Sequence, residues 1–158
     1  MASADFAKAI AIGGLSNEEL QNVRYNYAYA LIQIKRFNEL AAQLEKSLTL
    51  KPSDEVKYLK LLGFAYSKAN KADKALRIYE TLIKKASDYA PAYFSAADIY
   101  HRFRNDAQKS IETLLLLSSS QPNNAAVYYS LGKYYTLIGE SKKAENNFNL
   151  YNQFKEKQ

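Results

Sequence analysis

His101 is the one histidine in the chain, and its nearest carboxylate one helical turn away is Asp98. An imidazole beside a carboxylate is the start of general-base chemistry, but no second activated group accompanies it. A lone histidine on a charged helix reads as a surface residue. Cysteine is absent, which excludes disulfides, thiolate metal sites and cysteine nucleophiles. No cluster of His, Asp and Glu has metal-ligand spacing. Gly13-Gly14 lacks the further glycines and the Lys-Ser/Thr of a phosphate loop. The acidic pairs Glu18-Glu19 and Asp54-Glu55 stand where helix starts attract negative charge, which accounts for them without catalysis. These residues point away from an enzyme, and neither cofactor nor metal is expected.

The composition leaves room for a packed core, with 47% hydrophobic and 24% charged residues in 158. No apolar run approaches the roughly 20 residues of a membrane-spanning helix. Runs such as Leu114 to Leu117 are far shorter, so no membrane insertion is expected. Met1 to Gly14 lacks the basic leading segment of a secretory signal, and Asp5 and Lys8 interrupt its apolar stretch. Localisation stays open. The net charge of +6 comes entirely from residues 55–158, which hold sixteen basic and ten acidic side chains. Such an excess favours an acidic partner.

The elements that must position any surface residue follow from a repetition. Leu62-Gly63-x-x-Tyr66, followed by Ala75-x-x-x-Tyr79, returns 69 positions later as Leu131-Gly132-x-x-Tyr135, followed by Ala144-x-x-x-Phe148. That interval is one period of 34 plus one of 35, and Ala97 and Tyr100 fall where an intervening copy requires them. An upstream copy has Tyr27-Ala28-x-x-Leu31 and Leu40-x-x-x-Leu44. A period of this length marks stacked supersecondary units. Apolar residues recur within each unit at three- and four-residue spacing, which predicts two helices per repeat and no sheet. Ser16 and Glu19 predict a capping box, and Ser53 with Asp54 and Glu55 predicts a helix start. Gly63, Gly132, Ala28, Ala97, Ala75 and Ala144 are small where a large side chain would hold two helices apart. Tyr66, Tyr79, Tyr135 and Phe148 then fill the space between helices. The third copy gives registers differing by one from its two ends, predicting one extra residue near Arg102 to Asp106.

These residues resemble the tetratricopeptide repeat pattern, W-x2-L-G-x2-Y, then Ala, Phe and Pro. The resemblance covers about residues 20–155 and is best in the last repeat, from Tyr128 through Leu131, Gly132, Tyr135 and Ala144 to Phe148. The first repeat departs from it, with Arg24 where a core aromatic is usual and Leu40 in place of the small Ala. The resemblance implies an all-α fold: a right-handed α-solenoid of about four antiparallel helical hairpins. Repeats are expected at about 17–52, 53–87, 88–122 and 123–158, with 1–15 a partial repeat or N-terminal capping helix. Leu150, Tyr151 and Phe154 on the last helix have nothing after them to cover them, which leaves that end open to self-association.

The resemblance also implies that the first helix of each repeat lines a concave groove for a peptide segment or helix of a partner. Tyr25 and Tyr29 would face it from the first repeat, Lys57, Lys60, Phe64 and Lys68 from the second, Phe94, Asp98 and Arg102 from the third, and Tyr129 and Lys133 from the fourth. Five basic residues, one acid and five aromatics make a surface suited to a protein segment with acidic and apolar or aromatic side chains. The aromatics among them are not needed for the core, because other residues fill the core positions. A subclass of the family grips chaperone C-terminal carboxylates with Lys and Asn, where this chain has Tyr25, Tyr29 and Leu61, so that activity is disfavoured. The expected function is a non-enzymatic protein-interaction scaffold. The alternative is an RNA-binding helical repeat of the pentatricopeptide type, which the Gly63/Ala75 and Gly132/Ala144 pairs and the mild basicity argue against.

Overall fold

A computed structural model describes residues 2–156. Those residues form nine helices and no strand: α1 Ala2–Ile12, α2 Asn17–Gln33, α3 Phe37–Thr49, α4 Glu55–Lys68, α5 Ala72–Lys85, α6 Ala90–Arg104, α7 Ala107–Ser120, α8 Ala125–Leu137 and α9 Ser141–Lys155. They divide into two compact units, one up to Ile78 and one from Tyr79. In the first, α1 packs on α2, α2 on α3 and α3 on α4. In the second, α6 packs on α7, α7 on α8 and α8 on α9. Neighbour-on-neighbour packing is what repeats produce when none can bury its own apolar face.

The helix starts are built from local chemistry. Ser16 and Glu19 form the capping box, the Ser16 hydroxyl accepting from the Glu19 amide and the Glu19 carboxylate from the Ser16 amide at 2.9 Å. At α4 the capping side chain is Asp54, not Ser53, and it accepts from the Lys57 amide at 3.1 Å. Asp106 caps α7 in the same way, at 2.8 Å from the Lys109 amide.

The turns inside the hairpins share one device. Lys35, Asn70, Asn105 and Gly139 each take a left-handed conformation, with φ between 52° and 78°. In three of the turns an amide reaches back five residues: Arg36 to the Leu31 carbonyl, Lys71 to Tyr66 and Glu140 to Tyr135. In the third repeat the matching bond runs from Asp106 to Tyr100, six residues back. The inserted residue expected between Arg102 and Asp106 is therefore present, absorbed as one further residue at the end of α6.

Most positions assigned to packing are buried, whereas Tyr135 and Phe148 are half-buried. Tyr27, Ala28, Leu31, Leu40, Leu44, Leu59, Leu62 and Tyr66 form the interior of the first unit. Tyr93, Ala97, Ile111, Leu114, Leu117, Val127 and Leu131 form that of the second. At Gly132 the reason for a small residue is geometric: a Cβ there would come within 2.7 Å of the Phe148 ring, closer than carbon atoms pack. Ser110 is the third repeat's counterpart of Ala75 and Ala144, and it is fully buried. Its hydroxyl donates to the Ala97 carbonyl at 2.7 Å, which fastens α7 to α6. Tyr–Glu clips add to the packing, with Tyr27 donating to Glu39, Tyr66 to Glu45 and Tyr100 to Glu80. Burial and the Glu80 carboxylate push the Tyr100 hydroxyl up to about 12, and the same causes, from Glu45, raise Tyr66.

Two expectations need correction. Phe94 is not spare, because it packs half-buried against the second core. The aromatics of α9 are half-buried, not bare: Tyr151 lies 5.2 Å from the Tyr129 ring and Phe154 stacks on Tyr128 at 5.4 Å. A final helix with aromatic residues folds them back onto its own hairpin partner, since burying part of each ring stabilises more than leaving it in water.

Candidate functional site

In the first unit, three of the residues expected to face a partner, Tyr25, Tyr29 and Lys57, meet between α2 and α4. Tyr25 and Tyr29 lie one helical turn apart, and their hydroxyls meet at 2.9 Å. The Lys57 ammonium sits 3.4 Å from the centre of the Tyr25 ring, a close cation–π contact that joins α4 to α2. Tyr58 packs edge-on against the same ring at 5.9 Å, and its hydroxyl donates to the Gln21 carbonyl at 3.3 Å. Tyr29 remains 46% exposed, so the cluster has a free aromatic edge. Its hydroxyl is raised above the ordinary tyrosine value, first by the bond to Tyr25 and then by burial, so it stays a neutral donor at physiological pH.

Beside this cluster lies a small polar cleft of about 180 Å³, lined by Gln21, Asn22, Tyr25, Asp54, Lys57 and Tyr58, among others. Arg24, in the place where the repeat pattern expects an aromatic, has buried Nε and Nη1 atoms with no hydrogen-bond partner among the described residues. Its positive charge opposes the rise that burial imposes on Tyr58. Further along α4, the Lys68 ammonium lies 5.6 Å from the Phe64 ring, and Phe64 packs edge-on against Phe37 at 5.9 Å. Lys60 is half-buried on the same helix. Sequence reasoning missed Tyr58 and Phe37. Their spacing marks only an apolar position, and their role depends on which neighbour they meet.

In the second unit, the expected residues form local pairs. Asp98 and Arg102 are ion-paired at 3.3 Å on the solvent-facing side of α6, and Lys133 lies 5.8 Å from the Tyr129 ring on α8. Tyr129 is 46% exposed. Asp98 thus engages Arg102, and His101 instead packs edge-on against Tyr134 at 5.5 Å with a buried Nδ1. Among the described residues no group of three or more His, Cys, Asp or Glu could hold a metal ion, and no helix is long and apolar enough to cross a membrane.

Among the described residues, nine helices with a repeating hairpin turn, small residues at the close crossings and aromatic fillers define the tetratricopeptide-repeat fold. Solved structures carry the same arrangement. A crystal structure of MamA superposes with a TM-score of 0.82 over 98% of this chain and 87% of that one, at 20% identity. YrrB, described as a TPR protein with an unusual peptide-binding site, superposes at 0.75 over 96% of this chain and 75% of that one, at 14% identity. In sequence, the chain is similar to signal recognition particle subunit SRP72 of Dictyostelium discoideum, 34% identical over 68 residues. That match takes in 43% of this chain and spans about a tenth of the relative's length, given as 10%. No protein-family model matches the chain.

Proposed function

We propose that this chain is a non-enzymatic protein-interaction module that holds a segment of a partner against the first helices of its repeats. The segment would be acidic with apolar or aromatic side chains. The observation that carries the reading is the Tyr25, Tyr29 and Lys57 cluster. It presents a half-exposed aromatic, a phenolic donor and an ammonium within one contact distance of each other. Tyrosine beside a cation is the composition of binding hot spots, because a ring contributes large area at small entropic cost while the ammonium selects charge. The polar cleft at the N-terminal turns of α2 and α4 adds hydrogen-bonding partners beside it. Phe64 and Lys68 extend the same chemistry along α4, and Asp98, Arg102, Tyr129 and Lys133 offer it in the second unit. The likeness to YrrB, described with a peptide-binding site, and to a subunit of a multi-component particle supports an assembly role.

The test uses two synthetic ten-residue peptides, one with alternating Asp and Phe and one with alternating Lys and Phe. The acidic peptide is expected to bind at least tenfold tighter, and the Tyr29→Ala/Lys57→Ala double variant is expected to lose that preference with unchanged helical content. Equal binding of both peptides, or a preference that survives in the double variant, overturns the reading. Tight, steeply salt-dependent filter binding of single-stranded RNA would favour the nucleic-acid alternative instead.

A further inference from the structure

Because its repeats are related by 34 or 35 residues, the chain serves as its own alignment. Glu45 on α3, Glu80 on α5 and Leu115 on α7 occupy equivalent positions, followed by Lys46, Thr81 and Leu116. In the first two cases the carboxylate takes the hydroxyl of Tyr66 or Tyr100. Leucine cannot accept that bond. Tyr135, the counterpart of Tyr66 and Tyr100, instead has the Lys143 ammonium 5.7 Å from its ring. Leu115 and Leu116 are 42% and 61% exposed, while Leu114 and Leu117 on the opposite side of α7 are fully buried. Packing explains the second pair and not the first, since α3 and α5 fold with charged or polar residues in both places and α9 has Asn149 in the first and a half-buried Leu150 in the second. Two exposed leucines where α3 and α5 carry polar side chains mark a surface with a partner.

Leu116 also borders the larger cleft of the second unit, about 460 Å³, walled by the last turns of α5, by α6 and by α7. Its apolar lining is Ile83, Ala96 and Leu116. Most charges around it are already engaged. Glu80 accepts from Tyr100, and Glu112 is 3.0 Å from the Lys109 ammonium. Lys84, beside Ile83, is the lining cation that has no partner among the described residues. An unpaired charge pushed into such a neutralised, apolar-floored cleft would lose hydration without compensation, so the insert must itself be apolar. At one end, however, Lys84 offers an ammonium to a carboxylate.

We propose that this cleft docks one amphipathic helix of a partner protein, with its apolar stripe on Leu116 and the exposed part of Ile83 and a carboxylate against Lys84. A helix fits because the walls are helices. The ridge of side chains three and four residues apart on the incoming helix lies in the groove between α5 and α7. The surface is separate from the α2–α4 cluster, and neither depends on the other.

The experiment titrates two synthetic helical peptides into the isotopically labelled full chain and follows backbone amide shifts. Both peptides carry leucines at i, i+4 and i+7 on an Ala/Gln background. One ends its stripe with Glu and the other with Lys. The Glu peptide is expected to shift the amides of Ile83, Lys84 and Leu116 and to bind at least tenfold tighter than the Lys peptide. Leu116→Glu is expected to abolish those shifts while leaving circular dichroism and melting unchanged, because that side chain is mostly in solvent. Lys84→Glu is expected to reverse the order of the two peptides. The proposal is overturned by shifts confined to residues elsewhere, by shifts that survive Leu116→Glu, or by an unchanged peptide order in Lys84→Glu.

Discussion

The two units are built on one repeat and differ in what they leave on the surface. Up to Ile78 the chain carries twelve basic and eight acidic side chains, and a half-buried aromatic, Tyr25, is tied to the Lys57 cation across two helices. From Tyr79 onward the balance is ten to eight, and the first-helix residues pair locally, as Asp98 does with Arg102. The second unit puts its unexplained apolar surface on α7 instead. Identical packing rules therefore leave each repeat free to display different chemistry. The interior of a repeat must match its neighbours, whereas its outward positions answer only to solvent or to a partner.

Neighbouring leucines of α7 are the most sensitive test of that division. Leu114→Ala is expected to destabilise the protein by about 3 kcal/mol, because the site is closed on all sides and would leave a cavity. Leu116→Ala, two residues on, is expected to change stability by less than about 0.5 kcal/mol. Urea unfolding followed by circular dichroism measures both. Comparable losses in the two variants would mean that Leu116 belongs to the core and that the cleft is only a packing defect.

The clips join Tyr66 and Tyr100 to an acid of the preceding repeat, whereas the position equivalent to that acid for Tyr135 is Leu115 on α7. The ordinary tyrosine value is near 10, and folding pushes Tyr100 up to about 12, by burial first and by the bond to Glu80 second. A raised native value means that the folded state holds its proton more tightly. The contribution of Tyr100 is therefore fully present below about pH 10 and is lost as pH rises through about 12. Tyr100→Phe is expected to flatten the fall in unfolding midpoint between these values, and an unchanged slope in that variant would remove the role given to the clip.

The smallest effect compares the turns. Lys35 and Gly139 hold the same left-handed position in the first and fourth hairpins. Glycine adopts that conformation without the steric cost of a Cβ, so Lys35→Gly is expected to raise stability by about 0.5–1 kcal/mol. Gly139→Lys is expected to lower it by a similar amount, as thermal melting would report.

Much of this was legible beforehand. The echo of Leu62, Gly63 and Tyr66 in Leu131, Gly132 and Tyr135 is a record of close helix crossings, and such crossings admit few residue types. The slipped third register was visible for the same reason, since a helical face cannot tolerate a change of phase without an insertion. Ser110 escaped notice because a buried hydroxyl and a surface hydroxyl look alike until its acceptor, the Ala97 carbonyl, is in place. Phe94 was set aside as a spare aromatic because spacing alone does not say how far a ring leans toward the core.

What the sequence determined by itself was the helical repeat, its period and the residues that must be small or large, since these follow from local geometry repeated along the chain. The tertiary structure alone decided which outward residues act together. Tyr25 meets Lys57 across 32 residues of sequence, Asp98 turns to Arg102 instead of His101, and Leu116 borders a cleft with Ile83. Those outcomes depend on how side chains reach between helices, a matter of distances through space that periodicity along the chain does not encode.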